Sequence, residues 1–292
     1  MPKRKRRVGD RRDGRKIRSL PPMNYVSPFI MKTRSDAQNY FKASIDYDAI
    51  ETYIKEKREH GLSGFGFMHL IVAAYVRMVS QKPAINRFIA GQRIFSRNEI
   101  VLSMMVKKEM KLNAQETAIK VRFQPTDTAE DVYHRMEEAI DIARRQGDTT
   151  NLDFVARAIN IMPAVLLRLF VGLMQLLDYF GLMPKVINEA SPFHCSIFVS
   201  NLGSLGIPPI YHHLYNFGNT PVFITFGAKR RELALTEEGN IYKRTVVDYT
   251  VVTDERITDG HYMASAFKSL EKLFHVPSKL DTPPEQVIED IA

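Results

Sequence analysis

Polar and apolar positions alternate from Tyr40 to Ile45, with Tyr40, Lys42 and Ser44 on one side and Phe41, Ala43 and Ile45 on the other, which predicts a strand. At Asp48 or its neighbours the period changes to that of a helix, which the glycines at 61, 64 and 66 bring to an end. FMHLIVAAYVRMVSQ reads as a buried helix, and His69 within it as a core histidine. PAINRFIAGQRIF gives an extended piece with a turn at Ala90-Gly91, and EIVLSMMVKK and ETAIKVRFQP read as strands, the second stopped by Pro125. Thr126 to Thr128 offer a cap for the helix AEDVYHRMEEAIDIARRQG, whose Glu and Arg residues mark an exposed face. The last third turns to strands, CSIFVSN, TPVFITFGAKR and KRTVVDYTVVTD. The last two are separated by the turn Glu238-Gly239-Asn240, so an antiparallel hairpin is expected at the heart of the sheet. A final helix after Gly260 puts Met263, Phe267, Leu270 and Phe274 on one face.

The stretch from Leu152 to Pro184 is the most apolar of the chain, and from Ala164 to Leu182 it is almost long enough to span a bilayer. Arg168, Gln175 and Asp178 argue against spanning. At 100° per residue they fall within about 80° of one another, forming a polar stripe that a membrane interior penalises. Burial in the core or a subunit contact, or a surface that meets lipid or an apolar substrate, remains open.

Charge changes the picture only at the N-terminus. Of the 41 Lys and Arg, ten lie in residues 1–18 beside two of the 33 Asp and Glu, leaving 31 of each sign and no net charge beyond Arg18. Residues 1–22 are therefore expected to be a basic, disordered tail, available to an acidic partner, nucleic acid or an anionic membrane, ahead of one domain over 23–292. The tail lacks the apolar run of a secretory signal, so a cytoplasmic location is expected. Cys195 is the single cysteine, which excludes an internal disulfide and a multi-cysteine metal site; it reads as a small buried hydrophobe. No internal repeat and no Walker or Rossmann glycine pattern occurs.

Four short signals follow one another: Pro83-Ala84-Ile85-Asn86 with Gly91, Ser200-Asn201-Leu202-Gly203 with Gly206, Asn219-Thr220-Pro221 with Gly227, and Asp254-x-Arg256-x-x-Asp259-Gly260. In combination, and with the closing Leu280-x-x-Pro283, the chain from about residue 24 to 285 resembles the catalytic domain of the dihydrolipoyl acyltransferases of 2-oxoacid dehydrogenase complexes, which share their fold with chloramphenicol acetyltransferase. The resemblance implies an α/β (α+β) fold, a mixed sheet sandwich covered by helices, forming homotrimers with active sites in channels between subunits. It also implies acyl transfer between a thioester, coenzyme A or lipoyl, and a second acceptor. In that family a histidine four residues before the Asp-Gly aspartate takes the proton of the attacking group, and a hydroxyl in the Ser-x-x-Gly segment stabilises the oxyanion. By this resemblance Ser200 is the oxyanion hydroxyl, Asp259 the orienting aspartate, and Glu255 stands where the histidine is expected.

On reference pKa values, a glutamate in place of imidazole weakens the base by roughly 3 kcal/mol, on the order of a hundredfold in rate when the proton transfer is fully felt. Burial of Glu255 would recover part of this, and the Arg256 cation would oppose it. His261 and the pair His212-His213 are the neighbouring histidines, of which His261 is kept as a substitute base. With only about twenty residues before the domain, no lipoyl arm in cis is expected, and no metal. Two function classes stand: a stand-alone acyltransferase using Ser200, Glu255 and Asp259 with a coenzyme A thioester as co-substrate, or a catalytically inactive trimer serving as scaffold or regulatory subunit, a pseudoenzyme.

Overall fold

The computed structural model describes residues 6–107, 116–145 and 161–290. The sequence readings that fall on 1–5, 108–115, 146–160 and 291–292, among them the start of the apolar stretch, lie outside the described residues.

A six-stranded sheet forms the frame. Its strands are β2 (Gln38–Asp46), β5 (Ile100–Lys107), β6 (Glu116–Phe123), β7 (Ile197–Asn201), β8 (Val222–Leu235) and β9 (Ile241–Asp254), in the order β2-β9-β8-β7-β5-β6. β7 runs parallel to both neighbours, and the other pairs are antiparallel, so the sheet is mixed. The expected β8–β9 hairpin is central, and β8 bulges between Phe226 and Lys229. A second, three-stranded antiparallel sheet joins β1 (Gly14–Lys16), β4 (Arg93–Arg97) and β3 (Arg87–Ala90).

Alternation along the strands decides which face is covered. Ile197, Val199, Ile224, Val251 and Tyr249 point into the main core, where α2 (Tyr47–Glu59), α3 (Phe67–Gln81), α4 (Ala129–Arg145) and α7 (Gly260–His275) pack. Phe198, Phe223 and Val252 point the other way, into a smaller cluster with Val101, Cys195 and Leu214. The segment from Ile207 to Thr220 crosses this second face: Ala228 donates to the Ile207 carbonyl at 2.9 Å, and the Leu214 N–H to Gln38 Oε1 at 2.7 Å.

Local chemistry sets the helix starts. Asp46 accepts the Asp48 N–H at the head of α2. At α4, Thr128 and Asp131 cap each other: the Thr128 N–H donates to the Asp131 carboxylate at 2.9 Å, and Thr128 Oγ1 accepts the Asp131 N–H at 3.2 Å. Helix α7 buries the expected face, Met263, Phe267, Leu270 and Phe274, with Phe267 edge-on to Phe41 at 4.7 Å. Each such side chain contributes about 1.5–3 kcal/mol. His69 is buried and satisfied, accepting the Gly66 N–H at 3.0 Å with its other nitrogen 3.2 Å from Glu137. Cys195 is fully buried, which pushes its thiol pKa up.

The basic segment differs from the disordered tail expected of it. Residues 6–18 lie against the body, where β1 pairs with β4, Ile17 is 1% exposed within the core, and Arg11 is buried. Arg11 donates to Asp13 at 2.9 Å and to Asp178 at 2.5 Å, under the rings of Phe88 and Phe95. A low apolar content does not prevent order when backbone pairing and a buried ion pair are supplied by a preformed partner.

α1 (Pro22–Ile30), α5 (Ala164–Tyr179) and α6 (Lys185–Ala190) complete the described helices. In α5 only Met174 and Asp178 are buried, so this chain's core does not cover the apolar stretch. Among the described residues no helix is long and apolar enough to cross a membrane.

Candidate active site

Ser200 ends β7 on the face of the second cluster, two residues beyond Phe198. The chain then turns at once. Asn201 Oδ1 accepts the Gly203 N–H at 3.0 Å, the Ser204 hydroxyl donates to the Asn201 carbonyl at 3.1 Å, and Gly206 closes the turn with a φ of 72°. Gly203 is required by proximity, because a Cβ there would sit 2.8 Å from the Gly227 carbonyl oxygen. Gly227 in turn lies against Pro209, leaving 2.3 Å for its own Cβ. The glycines of two separate motifs thus meet at the turn that follows Ser200, whose half-buried hydroxyl makes no hydrogen bond among the described residues.

Glu255 opens the single turn Glu255–Ile257 that follows β9. Asp254 is 1% exposed and Arg256 3%. The Arg256 guanidinium donates to both Asp254 oxygens, at 2.7 and 2.6 Å, and to the Met31 carbonyl at 2.7 Å. The cation expected to bear on Glu255 is therefore committed elsewhere. The Glu255 side chain is exposed and makes no hydrogen bond or ion pair among the described residues, so the burial considered for it does not occur within one chain. Asp259 caps α7, its Oδ1 accepting the Tyr262 N–H at 2.9 Å, and so fixes where the turn meets the helix. His261 is exposed next to it. His212 is half-buried, stacked on Phe223 at 3.9 Å, and burial lowers its pKa.

Glu255 and Asp259 thus share one loop, and Ser200 does not join them. Ser200 is paired with Thr225, Thr225 with Thr250, and Glu255 lies five residues past Thr250. Two strand spacings and five residue rises place the two side-chain origins roughly 20 Å apart.

Arg34 is the site-region residue that sequence reasoning missed. It is buried behind the Glu255 turn and donates to the carbonyls of Ile89 at 2.9 Å and Asn216 at 3.2 Å. Burial pulls its pKa down to about 10 against the opposing charge of Asp254. Arg34 and Arg256 line a cleft of about 430 Å³ with Gly91, Gln92, Asn216 and Tyr179. Nothing local in the sequence announces Arg34, whose partners are 55 and 182 residues away.

Neither a protein-family model nor a curated protein matches the sequence. Solved structures do match. A probable dihydrolipoamide acetyltransferase from Listeria monocytogenes aligns over 91% of this chain and 97% of its own, with a TM-score of 0.58 and 13% identity. The cubic core of the pyruvate dehydrogenase multienzyme complex aligns over 91% and 94%, with a TM-score of 0.57 and 12% identity. Chloramphenicol acetyltransferase aligns over 86% and 94%, with a TM-score of 0.50 and 14% identity. At these identities the likeness establishes the fold, a mixed-sheet chloramphenicol acetyltransferase-like architecture.

Proposed function

We propose that this chain, built on the fold of dihydrolipoamide acetyltransferase cores and chloramphenicol acetyltransferase, moves an acyl group from a thioester such as an acyl-coenzyme A to a second acceptor. The site is completed between two copies of the chain, Glu255 coming from one and Ser200 from the next. One observation supports this reading above the others. At the two turns the Ser200 hydroxyl and the exposed Glu255 carboxylate are unpaired among the described residues, as is the hydroxyl of the buried Thr258, while Asn201, Ser204, Asp254, Arg256 and Asp259 hold the turns through hydrogen bonds. The separation of Ser200 and Glu255 within one chain requires the second copy, and homotrimers supply it.

In the reaction the Glu255 carboxylate takes the proton of the acceptor hydroxyl or thiol as that group attacks the thioester carbon. The carbonyl electron pair moves onto oxygen, where the Ser200 O–H donates to it. Collapse of the tetrahedral adduct breaks the carbon–sulfur bond, and the departing thiolate takes the proton back from Glu255. Asp259 holds the end of the Glu255 turn through its cap on α7, and the Asp254–Arg256 pair holds the start.

The test is thioester consumption by the purified protein across a panel of acyl-coenzyme A donors. Wild type turns over at least one of them, Glu255→Gln abolishes this, and Ser200→Ala lowers it by about 10²–10³. Absence of turnover in wild type combined with its appearance in Glu255→His would establish the inactive scaffold instead.

A further inference from the structure

Helix α5 carries its apolar residues on the outside. At 100° per residue Val165, Leu166, Leu169, Leu173, Leu176 and Phe180 fall within about 100° of arc, and each is between 50% and 71% exposed. Met174 and Asp178 occupy the opposite side and are the buried ones. The stripe continues past the helix into Leu182 and Val186, at 66% and 67% exposed. An apolar face this continuous marks a surface that meets something apolar.

What lies beside the stripe identifies the partner. The buried Arg11–Asp178 pair fastens the basic N-terminal segment to the end of α5, and Gly181 packs against Arg11, a Cβ there lying 3.2 Å from Arg11 Cγ. Arg6, Arg12, Arg15 and Lys185 consequently line one cavity, in which eight basic residues face five acidic ones. Arg6, Arg7, Arg12 and Lys185 are exposed. The described basic residues Arg6, Arg7, Arg12, Arg15 and Lys185 are thereby gathered at one end of this exposed apolar stripe.

We propose that this surface docks the protein on an anionic lipid bilayer, with α5 lying in the plane of the interface and the basic segment on the headgroups. A second copy of the chain is the weaker match. Beyond Arg18 the chain has equal numbers of acidic and basic residues, so a copy brings no acidic excess to meet the cluster, whereas an anionic leaflet supplies negative charge and an apolar layer together. Spanning is not part of the proposal, since Asp178 is turned inward and no described helix is long and apolar enough to cross. The proposal stands on its own, independent of the acyl-transfer reading.

The experiment is co-sedimentation of the full chain with vesicles of phosphatidylcholine alone or with about a third phosphatidylglycerol, at low and high salt, alongside light scattering for oligomeric mass. The protein is expected to pellet with the anionic vesicles at low salt and less at high salt. Arg6→Glu/Arg7→Glu/Arg12→Glu is expected to weaken binding by on the order of a hundredfold or more. Leu169→Glu/Leu173→Glu changes exposed residues only, and is expected to stay in the supernatant with its melting temperature and mass unchanged. Failure of wild type to pellet with anionic vesicles, or pelleting of the double glutamate variant like wild type, would overturn the proposal. A fall in oligomeric mass in the double variant would also overturn it, assigning the face to a second copy.

Discussion

Ser200 lies on β7 and Glu255 in the turn that follows β9 of the same sheet, two strands and five residues apart, so a single chain cannot bring both to one carbonyl group. Each is nevertheless held by a turn with little freedom. Ser200 precedes a turn whose glycines leave no room for a Cβ, and Glu255 lies between the Asp254–Arg256 pair and the Asp259 cap.

The Asp254–Arg256 pair is the least exposed ion pair of the described residues, and removing one partner leaves the other charge buried. Arg256→Ala is expected to cost about 3–5 kcal/mol, which lowers the melting temperature by roughly 10 °C or more. Glu255→Gln, one residue away but exposed, is expected to melt like wild type. Thermal unfolding of the two variants side by side separates the structural residue from the chemical one.

Asp178 supplies a pH prediction. Burial by itself would raise its carboxyl pKa, but the His194 imidazole and the Arg11 guanidinium outweigh that and hold it well below the usual carboxylate range. A carboxyl whose folded pKa is depressed contributes stability that is fully present above its unfolded value of about 3.9 and is lost as pH falls through the folded pKa. Acidification from about pH 4 downward is therefore expected to weaken the hold of the N-terminal segment on α5 progressively, and to release it only once pH falls through the depressed folded pKa. Asp178→Asn is expected to do the same at neutral pH, and proteolysis within residues 6–18 reads both.

Gly203→Ala tests the turn that follows Ser200. The added Cβ would lie 2.8 Å from the Gly227 oxygen and 3.0 Å from Asn201 Oδ1, so the turn must move. Stability is expected to fall by about 1–3 kcal/mol. The acyl-transfer rate is expected to fall by up to about a hundredfold through displacement of Ser200. An unchanged rate in a folded variant would mean that Ser200 does not depend on this turn.

Much of the frame is readable from local pattern. The expected strand from Lys243 to Asp254 lies within β9 of the hairpin, Asp259-Gly260 announces the start of α7, and Thr128 reads as a cap because its partner is three residues away. What escapes the sequence is contact at long range. Arg34 reaches Asn216, Pro209 excludes a side chain from Gly227, and Arg11 finds Asp178 across 167 residues. That last contact is why residues 6–18 read as a free tail and fold as part of the body. The apolar positions of α5 are plain in the sequence, but not that they face outward, because a helical period fixes which residues share a face and leaves open which way the face turns.

Subunit mixing tests the central claim most directly. Alone, Ser200→Ala is expected to keep no more than about a hundredth of the wild-type rate and Glu255→Gln none. When the two are unfolded, mixed in equal amounts and refolded together, a site that draws Glu255 from one copy and Ser200 from the next is intact once in every mixed trimer. Thioester turnover is then expected to recover to about a quarter of the wild-type rate. Mixed assemblies that form, as shown by differently tagged chains purifying together, yet recover no turnover would contradict a site shared between copies.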